Sequence, residues 1–172
     1  MIIFITGGVR SGKSDFAQEL AERREGKRLF LATAQALDAE MEERIRKHRE
    51  KRGTRWETLE EPVHIGKALQ SVAGSYKTIL VDCLTVWMSN LFMEYPETVD
   101  ERMKAVDEFI ESLDGCDETI IIVSNEVGLG IVPDNKLARS YRDQLGFLNQ
   151  RVARHADTVY MLIAGIPLKI KG

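Results

Sequence analysis

The sequence predicts an α/β domain with a mostly parallel central sheet, helices on both faces, and an antiparallel edge strand at the C-terminus. Three observations carry that expectation. The apolar runs are short, rich in β-branched residues and do not alternate with polar ones, as in strands buried on both faces. Helix-length segments with apolar residues three and four apart separate the runs, and β–α alternation of this kind builds a parallel sheet with right-handed crossovers. A glycine-rich stretch stands between the first strand and the first helix, where such folds bind phosphate.

The elements follow in order. Ile2–Thr6 is the first strand, and Phe16, Ala17, Leu20 and Ala21 stripe the helix after it. Leu29–Thr33 is the second strand. A charged helix over 38–52 follows, with Asp38, Glu40, Glu42 and Glu43 ahead of Arg44, Arg46, Lys47, Arg49, Lys51 and Arg52, an order that suits the helix dipole. Thr78–Cys83 is the third strand. Leu84–Tyr95 is apolar almost all round, with Trp87, Met88, Phe92 and Met93, so it is buried in the core or in a subunit interface. Thr119–Ser124 is the fourth strand. Leu137, Tyr141, Leu145, Leu148 and Val152 stripe a long helix, with Asp134 as its expected N-cap. Thr158–Ala164 is the fifth strand, and Pro167 is expected to turn the chain into the edge strand Leu168–Lys171. No repeat or linker interrupts residues 1–172, which read as one domain.

Composition narrows the function. The 172 residues carry 24 basic and 27 acidic side chains, a net charge of −3, and 44% are hydrophobic, which argues against a disordered chain. The basic excess of a nucleic-acid-binding protein is missing. Cys83 and Cys116 form neither a disulfide framework nor a metal-ligand pattern. No apolar run reaches the roughly 20 residues of a membrane span. The opening Met1–Ile5 run is too short for a signal-peptide core. A reducing cytoplasm is the expected location.

Gly7-Gly-Val-Arg-Ser-Gly-Lys-Ser14 fits the phosphate-loop pattern G-x-x-x-x-G-K-S/T in the required strand–loop–helix setting. Gly7, Gly8 and Gly12 let backbone N–H groups of Val9, Arg10 and Ser11 turn inward around phosphate oxygens. Lys13 places a point charge on the β and γ phosphates, and Ser14 is a candidate Mg²⁺ ligand. A second metal-side carboxylate is expected at the end of an apolar strand, and Ile79-Leu-Val-Asp82 supplies it. Together these place the chain among P-loop NTPases. Asn125 and Glu126 end another strand at the same edge, where they either reach the γ-phosphate or cap the next turn. On the charged helix, Met41, Ile45 and His48 share one face. Trp56 reads as a core aromatic, and His64 and His155 read as structural histidines at helix ends.

Beyond the phosphate loop, Arg44-Ile-Arg-Lys-His48, Trp56-Glu-Thr-Leu-Glu60, Leu80-Val-Asp-Cys-Leu-Thr85 and Asn125-Glu-Val-Gly-Leu-Gly-Ile-Val-Pro133 occur in this order. Leu137-Ala-Arg-Ser-Tyr-Arg-Asp-Gln144 and Asn149-Gln-Arg151 follow. From end to end, and least over 94–117, the chain resembles the bifunctional adenosylcobinamide kinase / adenosylcobinamide-phosphate guanylyltransferase family of cobalamin biosynthesis, whose fold is RecA-like. The resemblance implies phosphorylation of adenosylcobinamide by ATP or GTP, then transfer of GMP from GTP to the new phosphate with release of pyrophosphate. It implies that His48 carries GMP covalently, a task that suits a neutral imidazole among cations. It implies nucleotide contacts at Gly7–Ser14, at Ala32, Thr33 and Ala34, at Arg49, Glu50, Lys51 and Arg52, and at Glu60 and Asp82. Mg²⁺ held by Ser14 and Asp82, and a homotrimeric assembly, are further implications.

Two other readings of the residues stand beside this one. A single-activity small-molecule kinase accounts for Lys13, Ser14 and Asp82 but leaves the His48 helix without a role. A non-catalytic RecA-like nucleotide switch requires partner or DNA surfaces that the charge pattern does not offer.

Overall fold

Strands with two faces to bury make the frame of this protein. The structure, a computed structural model, describes residues 1–36 and 39–172, apart from the side chains at 40, 44, 48 and 51. Its strands are β1 (Ile2–Gly7), β2 (Arg28–Ala32), β3 (Trp56–Glu60), β4 (Thr78–Asp82), β5 (Thr119–Val123), β6 (Thr158–Ile163) and β7 (Ile166–Lys171). Its helices are α1 (Lys13–Glu22), α2 (Ala39–Arg52), α3 (Ile65–Ser71), α4 (Leu84–Glu94), α5 (Val99–Glu111) and α6 (Lys136–His155). The described residues form one sheet in the order β3-β2-β4-β5-β1-β6-β7. All its pairings are parallel except β6–β7, as the sequence predicts.

Successive strand residues face opposite layers, which explains the unbroken apolar runs. Phe4, Leu29, Leu31, Ile79, Val81, Ile120 and Ile122 pack with Leu69, Trp87, Met88, Phe109 and Leu148 from α3, α4, α5 and α6. Ile3, Ile5, Phe30, Leu80, Ile121 and Val123 pack with Ala17 and Ala21 of α1. Helix α4 lies in the first of these layers. Trp87 and Met88 are fully buried within the chain, Trp87 meets Phe109 edge-on at 5.2 Å, and its indole N–H donates to Val63 O at 2.8 Å.

Several elements depart from the sequence expectations. The strand β3 was not expected, because Trp-Glu-Thr-Leu-Glu alternates weakly; pairing with β2 makes it a strand at the edge of the sheet. Helix α5 fills the motif-poor stretch 94–117, and its Val106, Phe109 and Ile110 are buried. The N-cap of α6 is Asn135, not Asp134: its side chain accepts from Leu137 N at 2.7 Å and Ala138 N at 3.2 Å, one position nearer the first turn. The final turn is made by Ala164 and Gly165, at φ 50° and 82°, the left-handed pair that a tight hairpin demands. Pro167 instead lies inside β7, paired with Leu162, where an edge strand tolerates it.

Two glycines test the packing. In α3, a Cβ on Gly66 would sit 2.8 Å from Glu108 O of α5, whereas one on Gly146 of α6 would meet nothing within 4 Å. Gly66→Ala is expected to destabilise the fold by about 1–3 kcal/mol through overpacking. Gly146→Ala is expected to stabilise it by about 0.5–1 kcal/mol through helix propensity. Urea unfolding midpoints check both signs.

Candidate active site

Parallel strands point their carboxyl ends to one edge, and the chemistry-bearing residues collect there. Gly7 leaves β1 at φ 149°, and a Cβ on it would lie 2.4 Å from Leu162 O of β6, so only glycine fits. Gly12, left-handed at φ 89°, caps α1. Arg10 also adopts a positive φ, 56°. The loop is buttressed from the β6–β7 turn, where Gly165 N donates to Ser11 O at 3.0 Å. Lys13 is only 7% exposed, and its ammonium donates to Gly8 O at 2.5 Å and to Ser11 Oγ at 3.3 Å. Burial holds that ammonium below the ordinary lysine range, against the opposing pull of Cys83 and Asp82.

Strand β5 runs between β1 and β4, so the phosphate loop and Asp82 face each other across roughly 10 Å, two strand spacings. Behind Asp82, the Thr33 hydroxyl donates to Cys83 O and accepts from Cys83 N, both at 2.9 Å. The Asn90 amide donates to Thr33 O at 2.7 Å and to Pro62 O at 2.9 Å. Burial, with Asp82 adding to it, pushes the Cys83 thiol up to about 11, so it stays protonated at neutral pH. Asn125 leaves β5 between the two sides. Its N–H donates to Thr85 Oγ1 at 2.8 Å, and its carbonyl accepts from the Asn149 amide at 3.0 Å. Glu126 N donates to Gly7 O at 3.0 Å.

A cavity of about 280 Å³ opens between this edge and α2. Met41, Ile45, Arg49 and Arg52 of α2 line it opposite Ser14, Asp82 and Asn125. Phe30 and Ala32 of β2 stand beside Thr58 and Glu60 of β3 in register, and all four line its floor. The Arg52 guanidinium lies 3.5 Å from the centre of the Phe30 ring. Burial lowers its pKa, with Asp82 acting in the other direction, and its Nε is buried without a partner. Arg49 pairs with Glu60 across the cavity mouth; both are exposed, so the pair contributes little to stability.

Among the expected site residues, Val9, Ser14, Ala32, Ala34, Arg49, Arg52, Glu60 and Asp82 therefore line one cavity. Gly7, Gly8, Arg10, Ser11, Gly12 and Lys13 build the loop at its side. Thr33 is fully buried, its hydroxyl committed to Cys83. Glu50 pairs with Arg46 on the far side of α2 from the cavity-lining residues. The side chains of His48 and Lys51 lie outside the described residues; His48 falls within α2, one turn before Arg52. Phe30, Thr58 and Val86 also line the cavity and were not anticipated. Thr58 was reachable from Glu60 by strand periodicity, since residues two apart share a face. Phe30 and Val86 gave no signal distinguishing them from core residues.

The oxygens of Ser14 and Asp82 suit Mg²⁺, a hard cation that usually takes one or two protein oxygens and completes its shell with waters and phosphates. The described residues contain no group of three or more His, Cys, Asp or Glu able to hold a metal. No helix among the described residues is long and apolar enough to cross a membrane.

Comparison with known proteins agrees with this geometry. Residues 3–170 match the family described as CobU, cobinamide kinase / cobinamide phosphate guanyltransferase. The chain is 43% identical over 169 residues to the bifunctional adenosylcobalamin biosynthesis protein CobP of Pseudomonas aeruginosa, covering 98% of this chain and 96% of that one. It is 37% identical over 182 residues to CobU of Escherichia coli, covering 99% and 100%. Among solved structures, a prototypical ATPase of a type III secretion system superposes with TM-score 0.56 at 11% identity, over 98% of this chain and 56% of that one. The RadB recombinase superposes with TM-score 0.53 at 12% identity, over 93% and 73%. These structural likenesses show the P-loop NTPase fold alone. The sequence relationships show more: this chain belongs to the cobinamide kinase / cobinamide phosphate guanyltransferase family.

Proposed function

We propose that both activities of the family run on one phosphate nest, residues 7–14, within a single domain spanning residues 1–172. The observation that carries this reading is that Val9 and Ser14 of the phosphate loop, Asp82 and the inner face of α2 line one cleft. In the kinase step, the acceptor hydroxyl oxygen bonds to the γ-phosphorus of ATP or GTP as the bond from that phosphorus to the bridging oxygen breaks, and the hydroxyl proton is released to solvent. Lys13 stabilises the charge on the equatorial oxygens, and no protein nucleophile is needed. In the guanylyl step, a neutral His48 nitrogen attacks the α-phosphorus of GTP and pyrophosphate leaves. A phosphate oxygen of the acceptor then attacks the same phosphorus and the phosphorus–nitrogen bond breaks. Arg49 and Arg52 supply positive charge to the phosphates, while Phe30, Thr58 and Glu60 offer a floor for the base. Ser14 and Asp82 would hold a Mg²⁺ ion brought with the nucleotide, which would supply charge neutralisation at the phosphates. Helix α2 closes over GTP to bring position 48 to the α-phosphate, and the chain assembles as a homotrimer, which sedimentation tests.

Lys13→Ala is expected to lower both rates by about 10²–10³, the scale of losing a charge-stabilising contact made in the transition state. Retention of either rate contradicts the shared nest. Asp82→Asn is expected to shift the Mg²⁺ titration further than nucleotide affinity, and an unmoved titration removes Asp82 from the metal side. His48→Asn separates the half-reactions. With GTP labelled at the α-phosphate, wild-type protein is expected to take acid-labile, base-stable label on the peptide holding His48. The variant is expected to take none while still phosphorylating the acceptor. A variant that still forms the GDP-linked product refutes the covalent step.

A further inference from the structure

The acceptor is much larger than the cavity that the nucleotide needs. At about 280 Å³ the cavity lies at the lower end of what holds a drug-sized ligand, and a corrin macrocycle is several times bulkier. Yet its alcohol arm has to bring an oxygen to the phosphate nest. The ring must therefore lie on an outer surface continuous with the cavity.

One surface has the required position and chemistry. Residues 127–132, Val-Gly-Leu-Gly-Ile-Val, follow directly on Asn125, which lines the cavity. They carry Leu129, Ile131 and Val132 at 78%, 96% and 58% exposure. The segment is held at both ends. Glu126 N is bonded to Gly7 O of the phosphate loop, and the Arg139 guanidinium donates to Pro133 O and Asp134 O at 3.0 and 2.6 Å. Within it, Gly128 N donates to the Glu126 carboxylate at 2.7 Å. An anchored segment that presents three large aliphatic side chains to water gains nothing from them in folding, and clusters of this kind mark binding surfaces. The other exposed aliphatic group, Ile163, Ile166, Leu168 and Ile170, lies on the β6–β7 hairpin, where β7 leaves a free strand edge; that edge suits backbone pairing better than a flat ring.

We propose that residues 127–132 form the docking face for the corrin macrocycle, with Leu129, Ile131 and Val132 against its methylated surface while its alcohol arm enters past Asn125. The inference rests on the kinase and guanylyltransferase reading above. Because the product of the first step is the acceptor of the second and both carry the same macrocycle, one face serves both.

The test uses the full chain and the double variant Leu129→Ser/Ile131→Ser, with Ile131→Leu as a volume-conserving control. Cobinamide binding is read by equilibrium dialysis through its visible absorbance. Cobinamide and nucleotide KM values are read in the kinase assay, and sedimentation is measured in parallel. The double variant is expected to weaken cobinamide binding and raise its KM by roughly 10–100-fold, with nucleotide KM, kcat and sedimentation unchanged, and the leucine control is expected to resemble wild type. Unchanged cobinamide affinity in the double variant overturns the docking face and leaves the function intact. A fall in sedimentation coefficient overturns it in favour of a second copy of the chain covering this surface. Wild-type protein that neither binds nor phosphorylates cobinamide overturns the functional reading itself, and the docking face with it.

Discussion

The structure hangs on the close approach of two backbones where β1 ends. Gly7 passes so near Leu162 O that a Cβ would stand 2.4 Å away. That contact fixes where the chain leaves the sheet and therefore where the N–H groups of the phosphate loop converge. It holds only if β6 lies directly beside β1, and the β6–β7 turn then reaches back to Ser11 O through Gly165 N. The anion site thus depends on a C-terminal hairpin more than 150 residues away in sequence from the loop that it supports.

A second constraint is the separation of charges. Lys13 opens α1 just after β1, and Asp82 ends β4, with β5 between those two strands; the carboxylate opposes the lowering of the ammonium's pKa by burial. Asn125 is held at the intervening position through its backbone by Thr85 of α4 and Asn149 of α6. Helices on one face of the sheet thereby fix a residue that lines a cleft on its edge. On the opposite side, Arg52 lies over Phe30 and its Nε has no protein partner. A buried guanidinium whose Nε–H is unmet suits an anionic ligand, because an unmet donor in a low-dielectric site is costly.

Legibility differed from residue to residue for physical reasons. The phosphate loop and Asp82 were plain because glycine, lysine and a strand-terminal carboxylate have few structural uses in that spacing. Phe30 was hidden because a strand aromatic looks the same whether its ring meets the core or a ligand. Thr33 lay within a segment expected to contact nucleotide, yet its hydroxyl is bonded to Cys83 on both sides, a decision made by strand pairing. The cap at Asn135 rather than Asp134 turned on where the first helical turn begins, which two adjacent capping residues leave open.

By itself, the sequence determined the layer structure, the parallel sheet, the anion loop and the family to which the chain belongs. Those properties follow from local periodicity, turn chemistry and residue identity, all written along the chain. The strand order, the edge position of β3, the pairing of Phe30 with Thr58 and of Ala32 with Glu60, and the cavity that they floor were decided only by tertiary structure. They depend on which strands lie side by side, and burial of apolar area, being non-directional, sets that choice for the chain as a whole.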